Sequence, residues 1–327
     1  MKNDEVTNIL HAYRIEGDGR GSVIADGDIA QSIKDKDLAW VHLDARDHAS
    51  RQWLQKEITY LDPIIIDALL ADETRPRILE FENGVLMILR GVNLNEGAEP
   101  EDMVSLRLWI DEDRIISTQR RHLKAIKDIE ESLQAGRGPK NSGEFIAVLT
   151  ARMFEHMEVV FDELDETLDV LEERVIDNPD TKDRQGITNI RKQAIVFRRY
   201  ILPQRDVIAH LRISELPWLE QIHKRRLQEV MDTVIRYIED LDTLRERAQI
   251  VKEELANTLT DRMNKNMYVL SVIASIFLPL SFLTGLFGIN LAGIPGAESH
   301  YAFAVFCVLL AGIIFAQIIL FKKMKWF

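Results

Sequence analysis

Two uncharged stretches near the end of the chain limit its fold more than any other feature. Residues 267–287 and 301–321 are each 21 residues long and contain no Asp, Glu, Lys or Arg. A helix needs about 20 apolar residues to cross the ~30 Å hydrocarbon core of a bilayer. The sequence therefore predicts a transmembrane helical hairpin, first span 267–287 and second span 301–321. The alternative is a buried hairpin in a large soluble core.

Basic residues flank this hairpin on one side. The connecting segment 288–300 contains no Lys or Arg, whereas the outer flanks contain five: Arg262, Lys265, Lys322, Lys323 and Lys325. Because basic residues stay on the cytoplasmic side, we expect both termini in the cytoplasm and 322–327 as a basic cytoplasmic tail. Residues 1–28 lack the apolar segment of a cleavable signal. The expected location is therefore the inner membrane, as a multi-pass protein.

The net charge of −12 combines two unlike parts. Residues 264–327 contain four lysines and one glutamate, a net charge of +3, which leaves −15 on residues 1–263. Such an acidic body lacks the basic field that binds nucleic acid, so no nucleic-acid partner is expected.

The single cysteine, Cys307, excludes an internal disulfide framework and a cysteine-based zinc cluster. No resident cofactor is expected, and the lack of a glycine-rich phosphate loop argues against ATP-driven transport.

The first 140 residues predict a mixed α/β cytoplasmic domain, so the fold class of the chain is α+β. Asp62 and Pro63 open a predicted helix that ends at Leu70, and a second helix over 121–135 stops at Gly136. Runs rich in β-branched and aromatic residues predict strands over 9–15, 38–43, 84–92, 104–110 and 114–118.

From residue 141 onward the pattern is helical. Residues 141–216 predict a cytoplasmic helical hairpin in which Pro203 introduces a kink. Residues 217–266 predict a long stalk helix that is continuous with the first span. The stalk has an apolar seam at near-heptad spacing. A helix of this length cannot bury its seam against itself, so it needs neighbours from this chain or from copies of it.

One face of the first span carries mainly small or polar residues. Small residues favour close helix packing in lipid, and hydroxyls and backbone carbonyls also suit the wall of an ion pathway. Since one hairpin cannot enclose a water path, the pore interpretation requires an oligomer around an axis. Within it, Met267, Leu270 and Leu278 would form a dewetting constriction. The candidate pore-lining residues are Asn264, Met267, Leu270, Ser271, Ala274, Leu278, Ser281 and Gly285.

The segment Gly288-Ile289-Asn290 follows the first span. Gly and Asn alone indicate no more than a helix C-terminus. Combined with the long helix, the basic tail, Leu278-Pro279-Leu280-Ser281 and Thr74-Arg75-Pro76-Arg77, the segment resembles the CorA superfamily of divalent-cation transporters over essentially the whole chain.

The chain departs from the magnesium-transporting members of that superfamily. Their Tyr-Gly-Met-Asn-Phe signature is Phe287-Gly288-Ile289-Asn290-Leu291 here, and Gly293-Ile294-Pro295-Gly296 replaces their acidic outer-loop stretch. In these two stretches the chain instead resembles the zinc-transporting ZntB branch of the superfamily.

The resemblance implies a homopentameric funnel with the first span around the pore and the second facing lipid. It implies zinc transport, inward and proton-linked, with Gly288, Ile289 and Asn290 at the pore entrance.

Direct zinc ligands are Cys, His or carboxylates, and the first span has none. A largely hydrated cation passing Asn290 amides and Gly288 carbonyls is therefore expected. The alternatives are a magnesium, cobalt or nickel channel, or an anchored soluble sensor or enzyme, for which residues 1–263 contain no catalytic constellation.

Three further sets of residues are candidates for contact with cations. Glu298 and His300 either attract cations at the outer mouth or are ordinary solvated loop residues. The acidic helix face over 158–173 either lowers the potential for cations or is simply solvated. Glu155, His156 and Glu158 are candidate zinc ligands, although the histidines of residues 1–263 show no spaced ligand pair.

Overall fold

The computed structural model describes residues 9–72, 74–288 and 299–323. Its internal contacts divide the chain into two units, one ending at Glu253 and the other beginning at Glu254. This division falls within the predicted stalk.

The first unit contains a seven-stranded sheet with the strand order β2-β1-β3-β7-β6-β5-β4. The pair β3–β7 is parallel and the other neighbours are antiparallel. Asp111 tightens the β6–β7 turn, because its carboxylate accepts a hydrogen bond from the Asp113 amide at 3.0 Å. The strands are β1 (Ile9–Ile15), β2 (Gly21–Val23), β3 (Ala39–Asp44), β4 (Arg77–Glu80), β5 (Gly84–Gly91), β6 (Val104–Asp111) and β7 (Arg114–Gln119).

Three helices cover one face of this sheet: α1 (Ile29–Ser32), α2 (His48–Glu57) and α3 (Pro63–Leu70). Local sequence sets where two of them begin. Asp62 caps α3 by accepting a hydrogen bond from the Ile64 amide at 2.8 Å, and Asp47 caps α2 through the Ser50 amide at 3.0 Å. Their apolar side chains and those of the central strands form one buried core.

The other elements of the chain are helical: α4 (Lys124–Gln134), α5 (Ser142–Asp177), α6 (Asp183–Ile213), α7 (Gln221–Gly288) and α8 (Ala302–Lys323). Gly136 follows α4 with a φ of +70°, a conformation that side chains other than glycine adopt rarely. Asn141 caps α5 by accepting a hydrogen bond from the Glu144 amide at 2.8 Å. The helix α6 runs through Pro203, where the sequence predicts a kink.

The structure confirms the α+β class, the N-terminal sheet, the long helices and two candidate C-terminal spans. The five predicted strands lie within two residues of observed ones. The sequence pattern missed β2, which has only three residues, and β4, where Arg77 and Glu80 interrupt the apolar run. It also missed α2, a helix rich in polar residues.

Within the first unit, α5 packs on α7 through a mixed apolar and ionic contact. The Phe161 and Tyr237 rings meet edge to face at 5.3 Å. Further along, the Arg247 guanidinium reaches three carboxylates of α5 at 2.5–2.8 Å: Asp165, Asp169 and Glu172. These carboxylates raise the pKa of Arg247 further above its ordinary value. Part of the acidic face of α5 therefore forms ion pairs with an arginine and is not exposed only to solvent.

Candidate ion pathway

Two of the described helices are long and apolar enough to cross a membrane, the last part of α7 and α8. Their mean hydropathy reaches 2.1 and 2.8, and only 6% of the α7 window and 0% of the α8 window is buried. An apolar helix in the core of a soluble protein would be mostly buried. Low burial together with high hydropathy therefore identifies surfaces that need lipid or another chain.

One face of α7 packs against α8 within the second unit. Val272 is only 9% exposed, and the Phe287 ring lies 5.2 Å from Phe306 of α8. At about 3.6 residues per turn these two positions share one side of α7. That side also includes Ile276 and Leu283, which are half-buried.

A polar bond joins the same two helices at Pro279. Proline has no amide hydrogen, so Pro279 cannot bond the carbonyl four residues earlier, which belongs to Ser275. The Gln317 side-chain amide of α8 donates to that Ser275 carbonyl at 3.2 Å. A side chain of one helix thus satisfies the backbone group that proline leaves open in the other, as membrane helices require.

The predicted pore-lining residues lie mainly on the opposite side of α7, roughly half a turn from Val272. Seven of the eight are exposed and Ala274 is half-buried. A side chain at Gly285 would meet no described atom within 4 Å. The structure therefore brings the row together on one open face, with α8 on the other, and no described residue of this chain covers it.

The outer end of α7 is described only in part. Gly288 is its last residue and is exposed. The predicted entrance residues Ile289 and Asn290 and the loop residue Glu298 lie outside the described residues. His300 is exposed, and its ring lies 6.4 Å from Tyr301 in an edge-to-face contact at the start of α8.

The candidate zinc ligands on α5 have other partners. The His156 Nε2 atom lies 2.5 Å from a carboxylate oxygen of Asp128 in α4. Glu155 pairs with Arg152 at 2.6 Å, and Glu158 with Arg236 at 3.5 Å. Within residues 9–72, 74–288 and 299–323, no three His, Cys, Asp or Glu side chains come together as a metal site.

Gln317 is a residue of the α7–α8 contact that the sequence reasoning missed. It is the only polar side chain with a carboxamide in the run 301–321. The missed signal was the combination of a proline in one span with a single amide donor in the other.

A membrane-length helical hairpin that follows an α/β sheet and long helices defines this chain as an integral membrane protein. The family model described as "CorA-like Mg2+ transporter protein" matches residues 35–323. The chain belongs to this CorA-like family of transporters, which are not enzymes.

Individual relatives match over nearly the whole chain. The "Zinc transport protein ZntB" of Pectobacterium atrosepticum is 37% identical over 317 residues, 97% of this chain and 95% of the relative. The "Divalent cation transporter CmaX" of Pseudomonas aeruginosa is 36% identical over 97% of this chain and 96% of its own length. The solved structure of full-length CmaX matches with a TM-score of 0.86 and 34% identity, covering 99% of this chain and 100% of that one.

Proposed function

We propose that this protein carries zinc ions across the inner membrane, inward and linked to protons, through a pore built from several copies of the chain. The observation that carries the zinc assignment is its similarity, over nearly the whole chain, to proteins named for zinc transport. One relative is named for divalent-cation transport without a specified metal, and magnesium, cobalt and nickel are the alternative substrates against which zinc is to be tested.

The exposed face of α7 supports a shared pore. It carries Ser271, Ser281 and Gly285 on the side away from α8, and the described residues of one copy do not enclose it. Five copies around an axis, each contributing this face, would line a water path with hydroxyls and backbone carbonyls. In this arrangement α8 faces lipid, both termini are cytoplasmic, and Met267, Leu270 and Leu278 form the apolar constriction.

The donor set of α7 fits a hydrated ion better than a dehydrated one. Between residues 264 and 288 there is no Cys, His, Asp or Glu, the side chains that bind zinc directly. We assign cation selection to a ring of Gly288, Ile289 and Asn290 at the entrance, where amide and carbonyl oxygens contact the water around the ion. Glu298 and His300 would raise the local cation concentration at the outer mouth.

Ion flux into proteoliposomes tests the transport proposal. We expect zinc uptake by liposomes that contain the purified protein, faster when the outside is more acidic than the inside, and slower uptake of magnesium. Native mass spectrometry of the same preparation should give five chains per particle. Magnesium uptake faster than zinc uptake would identify the competing substrate, and no cation uptake at all would refute the pore.

Asn290→Ala tests the entrance ring. Removing five amides from the proposed entrance should abolish or deregulate zinc uptake while the particle keeps its five chains. Asn189→Ala is the matched control, because Asn189 is exposed on α6 outside the proposed pathway. Zinc uptake by Asn290→Ala equal to that of the control would contradict the role of the ring.

A further inference from the structure

An arginine in the first unit is buried without a full set of partners. Arg107 lies in the middle of β6 between Leu106 and Leu108, and it is only 1% exposed. Its Nη2 atom donates to the carbonyl oxygens of Ala71 and Asp72 at 2.7 and 3.3 Å. Its Nε and Nη1 atoms have no hydrogen-bond partner in the described part of the chain. A buried charged donor without a partner costs free energy, and an anion bound beside the guanidinium would lower that cost.

Arg107 forms part of the wall of a cavity of about 740 Å³ between the sheet and α6. Ligand sites commonly have volumes of about 300–1,000 Å³. Among the described lining residues, seven are Arg or Lys and four are Asp or Glu. An excess of cations around an incompletely bonded guanidinium indicates an anionic ligand.

Two of the carboxylates at this cavity are already engaged. The Asp72 carboxylate is shared by Arg120 at 2.5 Å and Arg51 at 3.2 Å. Glu101 accepts a hydrogen bond from the Gln193 amide at 3.0 Å. Glu101 keeps its charge in this contact, and with Glu99 and Asp102 counted as well the seven cations and four carboxylates of the lining give a net charge of +3.

The remaining cations at the cavity differ in what they contact. The Arg90 guanidinium donates to the carbonyls of Met103 and Thr74 at 2.7 Å and lies 4.9 Å from the Tyr200 ring. Arg199 also lies over Tyr200. No ion pair joins Lys192 or Arg199 to a carboxylate among the described residues, so both can reach a ligand.

We propose that this cavity binds a small anion that carries two or more linked phosphate groups, held by Arg107 at its floor and by Lys192 and Arg199 at its rim. Arginine presents several donors in one plane, which match the oxygens of a phosphate. The volume of about 740 Å³ admits a nucleotide as well as an inorganic polyphosphate. This site is independent of the proposed zinc pathway, because every residue that forms it lies in the first unit.

The electrostatics of Arg107 agree with this assignment. Burial, followed by the charges of Arg120 and Arg90, lowers the pKa of Arg107 to about 10. The guanidinium stays charged at neutral pH and repels its neighbours. A bound polyanion would offset the cost of burying this charge and its repulsion by Arg120 and Arg90.

Calorimetric titration of the full-length protein in detergent micelles, with EDTA present to remove divalent cations, tests the proposal. The probes are inorganic phosphate, pyrophosphate, tripolyphosphate and ATP. We expect saturable binding at one site per chain, tighter for tripolyphosphate and ATP than for phosphate. ATP binding tighter than tripolyphosphate identifies a nucleotide ligand, and equal binding identifies the phosphate chain itself; both results support the site.

Two variants remove the proposed contacts. Lys192→Gln with Arg199→Gln changes only side chains at the rim, and Arg107→Met removes the buried charge. Each should weaken binding by about tenfold or more, as expected for lost charge-assisted hydrogen bonds. Arg225→Gln on α7 is the control, since Arg225 is exposed outside the cavity.

The rim variant keeps the test decisive if Arg107→Met fails to fold. Binding by Lys192→Gln/Arg199→Gln as tight as that of the control would overturn the proposal. So would the lack of saturable binding of all four probes at about 1 mM, the weak end of specific affinity.

Discussion

At the scale of single residues, buried polar groups in the sheet domain depend on a few exact partners. The Ser117 hydroxyl accepts from the Trp40 indole at 2.9 Å and lies 2.7 Å from His42 Nδ1. The same hydroxyl lies 3.5 Å from the Val41 carbonyl oxygen, so these contacts fit a proton on either ring nitrogen of His42. The ring is completely buried, and burial favours its uncharged form.

The first prediction concerns the effect of pH on stability through His42. Burial and the nearby His11 lower the pKa of His42 from 6.5 to about 3. Between these pH values the unfolded state binds the proton and the folded state does not, so stability falls as pH falls below 6.5. His42→Gln removes this effect, and its melting temperature should drop less between pH 7.5 and pH 5 than that of the wild type.

Thermal unfolding of the full-length protein in detergent at the two pH values measures this difference. The control is His48→Gln, the same substitution at an exposed histidine. Other groups close to His42, His122 and Asp44 among them, are unchanged in both variants. A drop in melting temperature as large in His42→Gln as in the wild type would contradict the assignment.

At the scale of elements, the contact between α7 and α8 depends on a proline and a glutamine that lie 38 residues apart in the sequence. Pro279 leaves the Ser275 carbonyl without an intrahelical donor, and Gln317 supplies one. The Gln317 Oε1 atom is buried without a partner in the described part of the chain. Gln317 therefore stabilises the helix pair through its hydrogen bond to Ser275 and destabilises it through the unpaired Oε1 atom. A single substitution at Gln317 removes both effects at once and does not separate them.

A double-mutant cycle isolates the benefit. In the wild-type background Gln317→Leu leaves the Ser275 carbonyl unsatisfied, whereas in a Pro279→Ala background the backbone amide of the introduced alanine bonds it. We expect Gln317→Leu to be more destabilising by about 0.6 kcal/mol when Pro279 is present, the average that double-mutant cycles give for a hydrogen bond between membrane helices. The cost of the unpaired Oε1 cancels, because it is removed in both backgrounds.

Melting of the four full-length proteins in micelles gives the coupling. A control cycle combines Pro279→Ala with Gln249→Leu in the first unit, and its effects should add because Gln249 bonds Glu253 and not α8. Additive effects in the Pro279–Gln317 cycle would mean that the hydrogen bond does not stabilise the hairpin.

At the scale of the whole molecule, the two units present different surfaces. Apolar side chains of the second unit are widely exposed, among them Phe303 at 79% and Val308 at 74%. Such a surface is stable only in lipid or against further copies of the chain. The first unit instead buries its apolar seam within itself, since Leu227, Val234 and Leu241 of α7 are at most 1% exposed.

This difference predicts that a fragment ending at Glu253 folds without detergent. It retains the part of α7 that covers α5, including the Phe161–Tyr237 contact and the Arg247 ion pairs. We expect one symmetric peak in gel filtration and cooperative thermal unfolding by circular dichroism. Aggregation of this fragment would show that the first unit depends on the rest of the chain.

A shorter fragment ending at Ser214 is the matched control. It keeps the sheet, α5 and α6 but lacks all of α7. The exposed apolar stripe of α5 should make it aggregate or unfold without a cooperative transition. Equal stability of the two fragments would indicate that α7 contributes nothing to the first unit.

The sequence alone determined the features that depend on local pattern. Uncharged runs as long as the bilayer is thick predicted the two spans, because the cost of a charge in hydrocarbon depends little on tertiary context. Apolar runs predicted the five longer strands, and Asp62 and Gly136 marked helix ends through backbone bonds that are local. The predicted pore row also follows from helical spacing on one element. The predicted entrance at Ile289 and Asn290 lies outside the described residues and stays a prediction.

Contacts between residues far apart in the sequence became visible only in the folded chain. The strand order, the pairing of Gln317 with the Ser275 carbonyl and the cavity over Arg107 each join separate elements. Sequence periodicity reports which face of an element is apolar, but it does not report the register between two elements. An arginine between two leucines of β6 gave a local sign of an unusual site. Its meaning depended on where α6 and the neighbouring arginines lie, which is set by the packing of the whole first unit.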